Sequence, residues 1–387
     1  MKHNAYYDYP FCKAPLEFDK NSEKEFLSYC LGATLYMPAT REFCRNVTDK
    51  QIPGLTSMVM CFEDAIDESK VPDAEDNAVR NLRAIKDGID DGSIDPGNMP
   101  LMFMRARSTS QFEELIKKLD DDLLQLLTGF VFPKFTSVNG NDYFSLLKAA
   151  NEKCSGTLYG MPILESKSIA FKETRFDELL AMKKITDANI DSVLNIRVGG
   201  TDFSSAFGVR RGIDYSIYDI MTVRDCLLDI LNVFGRENEY VVSGPVWEYF
   251  LANKDMKFEQ KPEVRRSAAS LASSLLKRKR LIDVAIDGLL REVILDRANG
   301  FIGKTAIHPT HIKYINAMLT VTEEEYDDAC QILRVSGGVV KSANANKMNE
   351  INPHRNWAKK IVNRAKAYGV VKDETDYLSF IAQTDLK

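Results

Sequence analysis

Eight short apolar runs recur along the chain, each followed by a longer stretch with helical spacing, and this alternation constrains the fold more than any other feature. The runs are LGATLYMPA from Leu31, TSMVMCFEDA from Thr56, LMFMRARS from Leu101, TGFVFPKF from Thr128, TLYGMPILES from Thr157, SVLNIRVGGTDF from Ser192, YVVSGPVWEYF from Tyr240 and GFIGKTAIHP from Gly300. Most have strand length and end in polar or small residues, the pattern of parallel strands buried on both faces. Segments such as DAEDNAVRNLRAIKDGI and VRDCLLDILNVFGREN between them carry good helix formers at helical spacing. Eight βα units over about 290 residues match a (β/α)8 barrel, for which ~250 residues is typical. An open doubly wound sheet is the competing architecture. Its dinucleotide fingerprint is missing, because PATREFC stands where a Gly-rich turn would follow the first strand.

The expected organisation is an N-terminal extension over 1–30, the barrel over 31–320 and a C-terminal helical lid over 321–387. The last part reads as a helix (VTEEEYDDACQILRV), a Gly/Ser/Asn loop (SGGVVKSANANKMNE) and a basic helix (PHRNWAKKIVNRAKAYGV). A tail of this size is expected to dock on the barrel or on a neighbouring subunit, which favours a homo-oligomer.

Of the 387 residues 44% are hydrophobic and 28% charged, which excludes disordered, collagen-like and coiled-coil classes. Fifty-one Lys and Arg against 56 Asp and Glu give a net charge of −5, with no basic balance that would favour nucleic acid. The seven cysteines are scattered without a CxxC pair, which fits a reducing cytoplasm and argues against a cysteine-based zinc site. The N-terminus lacks an apolar signal region and no apolar run approaches the ~20 residues of a membrane span, so a cytoplasmic protein is expected.

In barrels of this class the chemistry sits at the C-terminal ends of the strands. The polar residues there are Glu63 and Asp64, Arg105 and Arg107, Lys134, Glu165, Asp202, and Lys304 with His308. Glu165 and Asp202, from neighbouring strands, supply the two carboxylates that suffice for Mg2+ when waters and substrate oxygens complete its shell. Mn2+ accepts the same donors. Arg105 suits the neutralisation of a carboxylate or enolate because its planar fork makes paired hydrogen bonds. Of Arg105 and Arg107, one is expected to be structural, and His308 before Pro309 is expected to stabilise a turn. Asp64 has an N-capping reading beside its functional one. Lys134 is either a substrate contact or an ion-pair partner. Gly199 and Gly200 mark either a close approach to a ligand or a strand bend, and Gly200 and Thr201 join Arg105 and Lys134 as substrate-binding candidates.

Taken together, GFIGKTAIHPTHIKYIN at 300–316, MCFEDAIDESK, LMFMRARS, PILES and GGTDFSSAFG resemble the citrate lyase beta-subunit and HpcH/HpaI aldolase family. The chain also resembles the divergent branch of that family found in tellurium-resistance-type gene clusters. The resemblance implies a Mg2+-dependent carbon–carbon lyase on a (β/α)8 barrel, with Glu165 and Asp202 as metal ligands. It implies that Arg105 holds the substrate carboxylate and the enolate, and that Glu63 and Asp64 order the water around the metal. KMNE at 347–350 resembles a lid motif whose acid reaches an adjacent subunit's active site, which puts Glu350 in that role. Glu replaces the motif's Asp, and Asn349 replaces its apolar residue. A second departure is Gly32–Ala33, where the family has Arg-Ser, a contact associated with coenzyme A.

The leading expectation is a metal-dependent lyase or aldolase acting on a small 2-oxo or 3-hydroxy acid, with a coenzyme A thioester as one form of substrate. Two alternatives stand beside it. One is a lyase or hydrolase of a phosphorylated or nucleotide-like substrate gripped by LMFMRARS and the Gly303–Lys304 pair; the other is a non-catalytic scaffold subunit.

Overall fold

In the computed structural model, the described residues are 1–4, 10–48, 52–250, 282–342, 346–374 and 376–377. All eight apolar runs contain a strand: β1 (Ala33–Pro38), β2 (Ser57–Cys61), β3 (Leu101–Arg105), β4 (Gly129–Phe132), β5 (Tyr159–Leu164), β6 (Ile196–Val198), β7 (Val242–Ser243) and β8 (Lys304–Ala306). They pair in parallel in the order β7-β6-β5-β4-β3-β2-β1-β8. The ends of that order meet. Gly244 N–H donates to the Gly303 carbonyl at 2.9 Å and Thr305 N–H to the Gly244 carbonyl at 3.2 Å, in a parallel bridge between Gly244 and Lys304. The sheet is thus a (β/α)8 barrel, and the open doubly wound alternative falls.

Strand alternation sorts the side chains onto two sides. Met58, Met60, Met102, Met104, Phe130 and Phe132 face outward and pack with Leu82, Phe112 and Leu147 of the surrounding helices. Val59, Phe103, Val131, Met161 and Ile163 belong to a separate apolar cluster inside and below the barrel. Arg105 shares the parity of Leu101 and Phe103, so its guanidinium emerges inside the barrel at the C-terminal rim.

The described residues among the first thirty cover the opposite, N-terminal rim. His3 is buried, with Nε2 2.7 Å from the Cys30 carbonyl and Nδ1 3.2 Å from the Thr56 hydroxyl just before β2. Lys20 donates to the Leu127 carbonyl before β4. Burial lowers the His3 pKa to about 4.

The C-terminal part has its own apolar cluster, including Val321, Ala329, Ile332, Ile351, Ala358 and Ile361. Helices Glu323–Arg334 and Ile351–Tyr368 form it, as foreseen. The intervening Gly/Ser/Asn segment contains an antiparallel hairpin, Val339–Lys341 with Met348–Glu350, which the composition did not suggest. This unit docks at the N-terminal rim: Lys360 donates to the Gly300 carbonyl, Asn238 to the Asn356 carbonyl and the Tyr368 hydroxyl to the Tyr29 carbonyl. It therefore sits away from the strand ends of its own barrel. Among the described residues no helix is long and apolar enough to cross a membrane.

Candidate active site

At the C-terminal rim a cavity of about 450 Å³ opens, lined among others by Tyr36, Cys61, Arg105, Glu165, Arg197 and Asp202. Arg105, at the last position of β3, is its electrostatic centre. One of its terminal nitrogens lies 2.7 Å from Glu63 and 3.3 Å from Glu165, and the other is 3.8 Å from the Cys61 sulfur. Burial works against its charge, but the adjoining Glu165, Cys61 and Glu63 outweigh this and hold its pKa above the ordinary value.

Glu165 follows β5 and is buried. It accepts the backbone N–H of Lys134 at 2.8 Å. Burial pushes its pKa up to about 7; Arg105 pulls it down, and the nearby charge of Asp202 pushes it further up. The sequence left the Gly199–Gly200 pair open between ligand approach and bend. A Cβ built on Gly199 would lie 2.4 Å from Glu165 Cβ and Oε2, so the glycine is where the chain passes against this carboxylate. Three residues later Asp202 sits in the first turn of helix Gly200–Ala206, at the same rim.

Lys134 ties the carboxylates together. Its ammonium is 2.6 Å from Asp202, 3.2 Å from Glu63, 3.5 Å from Asp64 and 3.9 Å from Glu165. Its backbone is left-handed, with φ +49°, a conformation that costs a non-glycine residue about 1 kcal/mol or more and recurs at functional sites. The bond from its N–H to Glu165 and that from the Asn139 amide to its carbonyl fix the turn. Burial opposes its charge, yet Glu165, Asp202 and Glu63 raise its pKa overall. Burial also raises the Glu63 pKa against the pull of Arg105. Asp64 moves the other way. Burial would raise it, but a hydrogen bond shared with Glu63 and the Lys134 charge leave it lowered.

Six of the predicted residues thus meet in one cluster: Glu63, Asp64, Arg105, Lys134, Glu165 and Asp202. Gly200 and Thr201 line the same cavity. Asp64 has no capping role, since Asp67 caps the short helix that follows. Glu350 does not join them. It is exposed at the N-cap of helix Ile351–Tyr368, paired with Val339 in the hairpin.

Three other predictions resolve structurally. Arg107 donates to the Ile66 carbonyl at 3.0 Å, so it is the structural arginine of its pair. Lys304 points outward from β8 and is buried between Glu292 and Asp296, at 2.9 and 2.7 Å, which removes it as a phosphate contact. His308 bonds Thr310 at 2.8 Å and stabilises its turn. Gly32 lies under the barrel, where a Cβ would come within 2.5 Å of Asn316 and 2.8 Å of His3.

The sequence reading missed Arg197 and Tyr36. Arg197 crosses the interior from β6, donating to Thr34 at 3.3 Å and to Thr305 at 2.7 Å, partners that face each other in the β1–β8 register. Tyr36 presents its ring to both guanidinium groups, 6.0 Å from Arg105 and 5.4 Å from Arg197. The available signal was an arginine set between Ile196 and Val198 in a strand-like run.

Among the described residues no three His, Cys, Asp or Glu side chains form a ready metal cage. Two carboxylates directed at one cation position are nevertheless the donor set of a Mg2+ ion that keeps several waters. Glu165 and Asp202 both approach one cation in the structure, the Lys134 ammonium, at 3.9 and 2.6 Å, and are the carboxylates that could serve such an ion.

The model of the carbon–carbon bond lyase family of the TIM-barrel fold matches residues 25–370. The chain belongs to this family. It is accordingly a carbon–carbon lyase, and the fold derived above is the family's. Among solved structures it is similar to CitE from Mycobacterium tuberculosis, in complex with magnesium, acetoacetate and coenzyme A, at 16% identity and a TM-score of 0.51; the match covers 87% of this chain and 99% of that one. RipC from Yersinia pestis matches at 16% identity and a TM-score of 0.43, over 77% of this chain and 99% of that one. Malate synthase from Haloferax volcanii matches at 13% identity and a TM-score of 0.46, over 73% and 71% of the two chains. No curated protein sequence matches.

Proposed function

We propose that this lyase is divalent-cation dependent and cleaves a small 2-oxo or 3-hydroxy acid through an enolate. The observation that carries the reading is the convergence of Glu165 and Asp202 on one cation position beside Arg105. Support for the cation comes also from CitE, solved with magnesium and acetoacetate on the same fold.

Glu165 and Asp202 would hold Mg2+ or Mn2+, which when bound supplies Lewis-acid stabilisation of a developing enolate charge. Arg105, locked by Glu63 and Glu165, binds the substrate carboxylate and adds a fixed positive charge where the enolate forms; such preorganised charge needs no rearrangement during reaction. Glu63 and Asp64 orient water at the rim. Lys134, whose side chain is 44% exposed, is the group that yields its place among the carboxylates. A water, or Glu350 of an adjacent subunit, moves the proton in a homo-oligomer. The cavity accommodates a small acid, with a coenzyme A thioester extending outside it.

The test is Mn2+ binding to the wild type, Glu165→Gln and Asp202→Asn, with and without oxaloacetate. Binding in the wild type that oxaloacetate tightens, and that both variants strongly weaken, supports the site. Equal binding by the variants, or none by the wild type, removes it.

A further inference from the structure

Arg197 has no counter-charge among the described residues. Arg105 is neutralised by Glu63 and Glu165, and the buried Arg211 by Glu292 and Glu248. Arg197 is 1% exposed, yet among the described residues no carboxylate pairs with it. Its partners are two threonine hydroxyls and the Tyr36 ring, and its Nε is buried without a hydrogen-bond partner. Burial, reinforced by the positive charge of Arg105, lowers its pKa despite the help of Tyr36. An unpaired buried charge is costly, and barrel interiors are ordinarily filled by apolar side chains. This arginine instead stands in the wall of the 450 Å³ cavity, across Tyr36 from Arg105.

We infer that Arg197 binds a second acidic group of the substrate, so that the enzyme selects small dianionic acids over monoacids. The inference rests on the proposed site, in which the first carboxylate goes to Arg105 and the cation. The distal oxyanion then supplies the counter-charge that no described carboxylate gives. Thr34 and Thr305 hold the guanidinium plane in place before the ligand arrives, which reduces the ordering cost of binding. Arg197 is a specificity residue here and takes no part in bond cleavage.

The test compares three 2-hydroxy acids that share the chelating end and differ at the distal group: malate, its 4-amide malamate, and 3-phosphoglycerate. Affinities are measured calorimetrically with and without Mn2+, for the wild type, Arg197→Met and Arg197→Lys, with Mn2+ affinity and thermal stability recorded alongside. A charge-assisted bond predicts that the wild type binds malate or 3-phosphoglycerate at least about tenfold more tightly than malamate. Preference for malate identifies a distal carboxylate, and preference for 3-phosphoglycerate a distal phosphate. Arg197→Met loses the preference, and Arg197→Lys keeps part of it. If malamate binds the wild type as tightly as both malate and 3-phosphoglycerate, the inference is overturned, and this comparison needs no variant to fold. If Mn2+ does not bind while the preference persists, the metal reading fails and the Arg197 subsite stands.

Discussion

Glu165 provides a quantitative check on the site. Its carboxyl titrates at about 7 because burial and Asp202 outweigh Arg105 and Lys134, and only the ionised form ligates a cation. A group with that pKa is about one-tenth ionised at pH 6 and about nine-tenths at pH 8. Apparent Mn2+ affinity is therefore expected to rise about tenfold over this interval and level off above it. An ordinary glutamate would already be ionised at pH 6 and give a flat profile. The variants shift the midpoint in opposite senses. Arg105→Gln removes the main stabiliser of the carboxylate and moves the midpoint up, whereas Asp202→Asn removes a like charge and moves it down on a weaker binding curve. Electron paramagnetic resonance of free Mn2+ between pH 6 and 8.5 reads all three. A flat wild-type profile, or shifts in the same direction, refutes the reasoning.

Other consequences follow from the same geometry. Gly199→Ala places a methyl 2.4 Å from Glu165 Cβ and Oε2; Mn2+ affinity is expected to fall at least tenfold, about 1.4 kcal/mol, while circular dichroism stays native. Lys304→Met leaves Glu292 and Asp296 buried without their shared cation, which should cost about 3–5 kcal/mol in urea unfolding; a loss below 1 kcal/mol contradicts the buried network. His3 is neutral in the fold, with its pKa lowered from 6.5 to about 4. The unfolded chain therefore binds the extra proton between those values, and stability falls as pH drops through that window, by up to about 3 kcal/mol. His3→Gln should flatten that part of the stability profile relative to wild type.

The barrel was legible because most strands lie in apolar runs closed by polar or small residues, and strand-like and helical segments alternate along the sequence. The same pattern exposed the cluster: Glu63, Arg105, Lys134, Glu165 and Asp202 all follow apolar runs, where the fold collects functional groups. What escaped has physical reasons. Arg197 and Tyr36 lie within strands, where one sequence does not distinguish an inward side chain from an outward one. Lys304 shows the converse, since its neighbour Thr305 faces Arg197 while Lys304 faces helix Val284–Asn299. The hairpin at 339–350 hid in a Gly/Ser/Asn stretch with no strand-like alternation. Glu350 was read from a motif alone, and a motif does not reveal that its unit docks at the opposite rim of its own barrel.

The central claim is that Glu165, Asp202 and Arg105 together stabilise an enolate. The most direct measurement is deuterium exchange at C3 of 2-oxoglutarate, a dianionic 2-oxo acid, in D2O, followed by proton NMR with and without Mg2+, since it reports enolate formation from a 2-oxo acid without the natural carbon partner. The account predicts exchange that requires Mg2+ and is lost in Glu165→Gln, Asp202→Asn and Arg105→Gln. Exchange that persists without the metal, or that survives in all three variants, would contradict it.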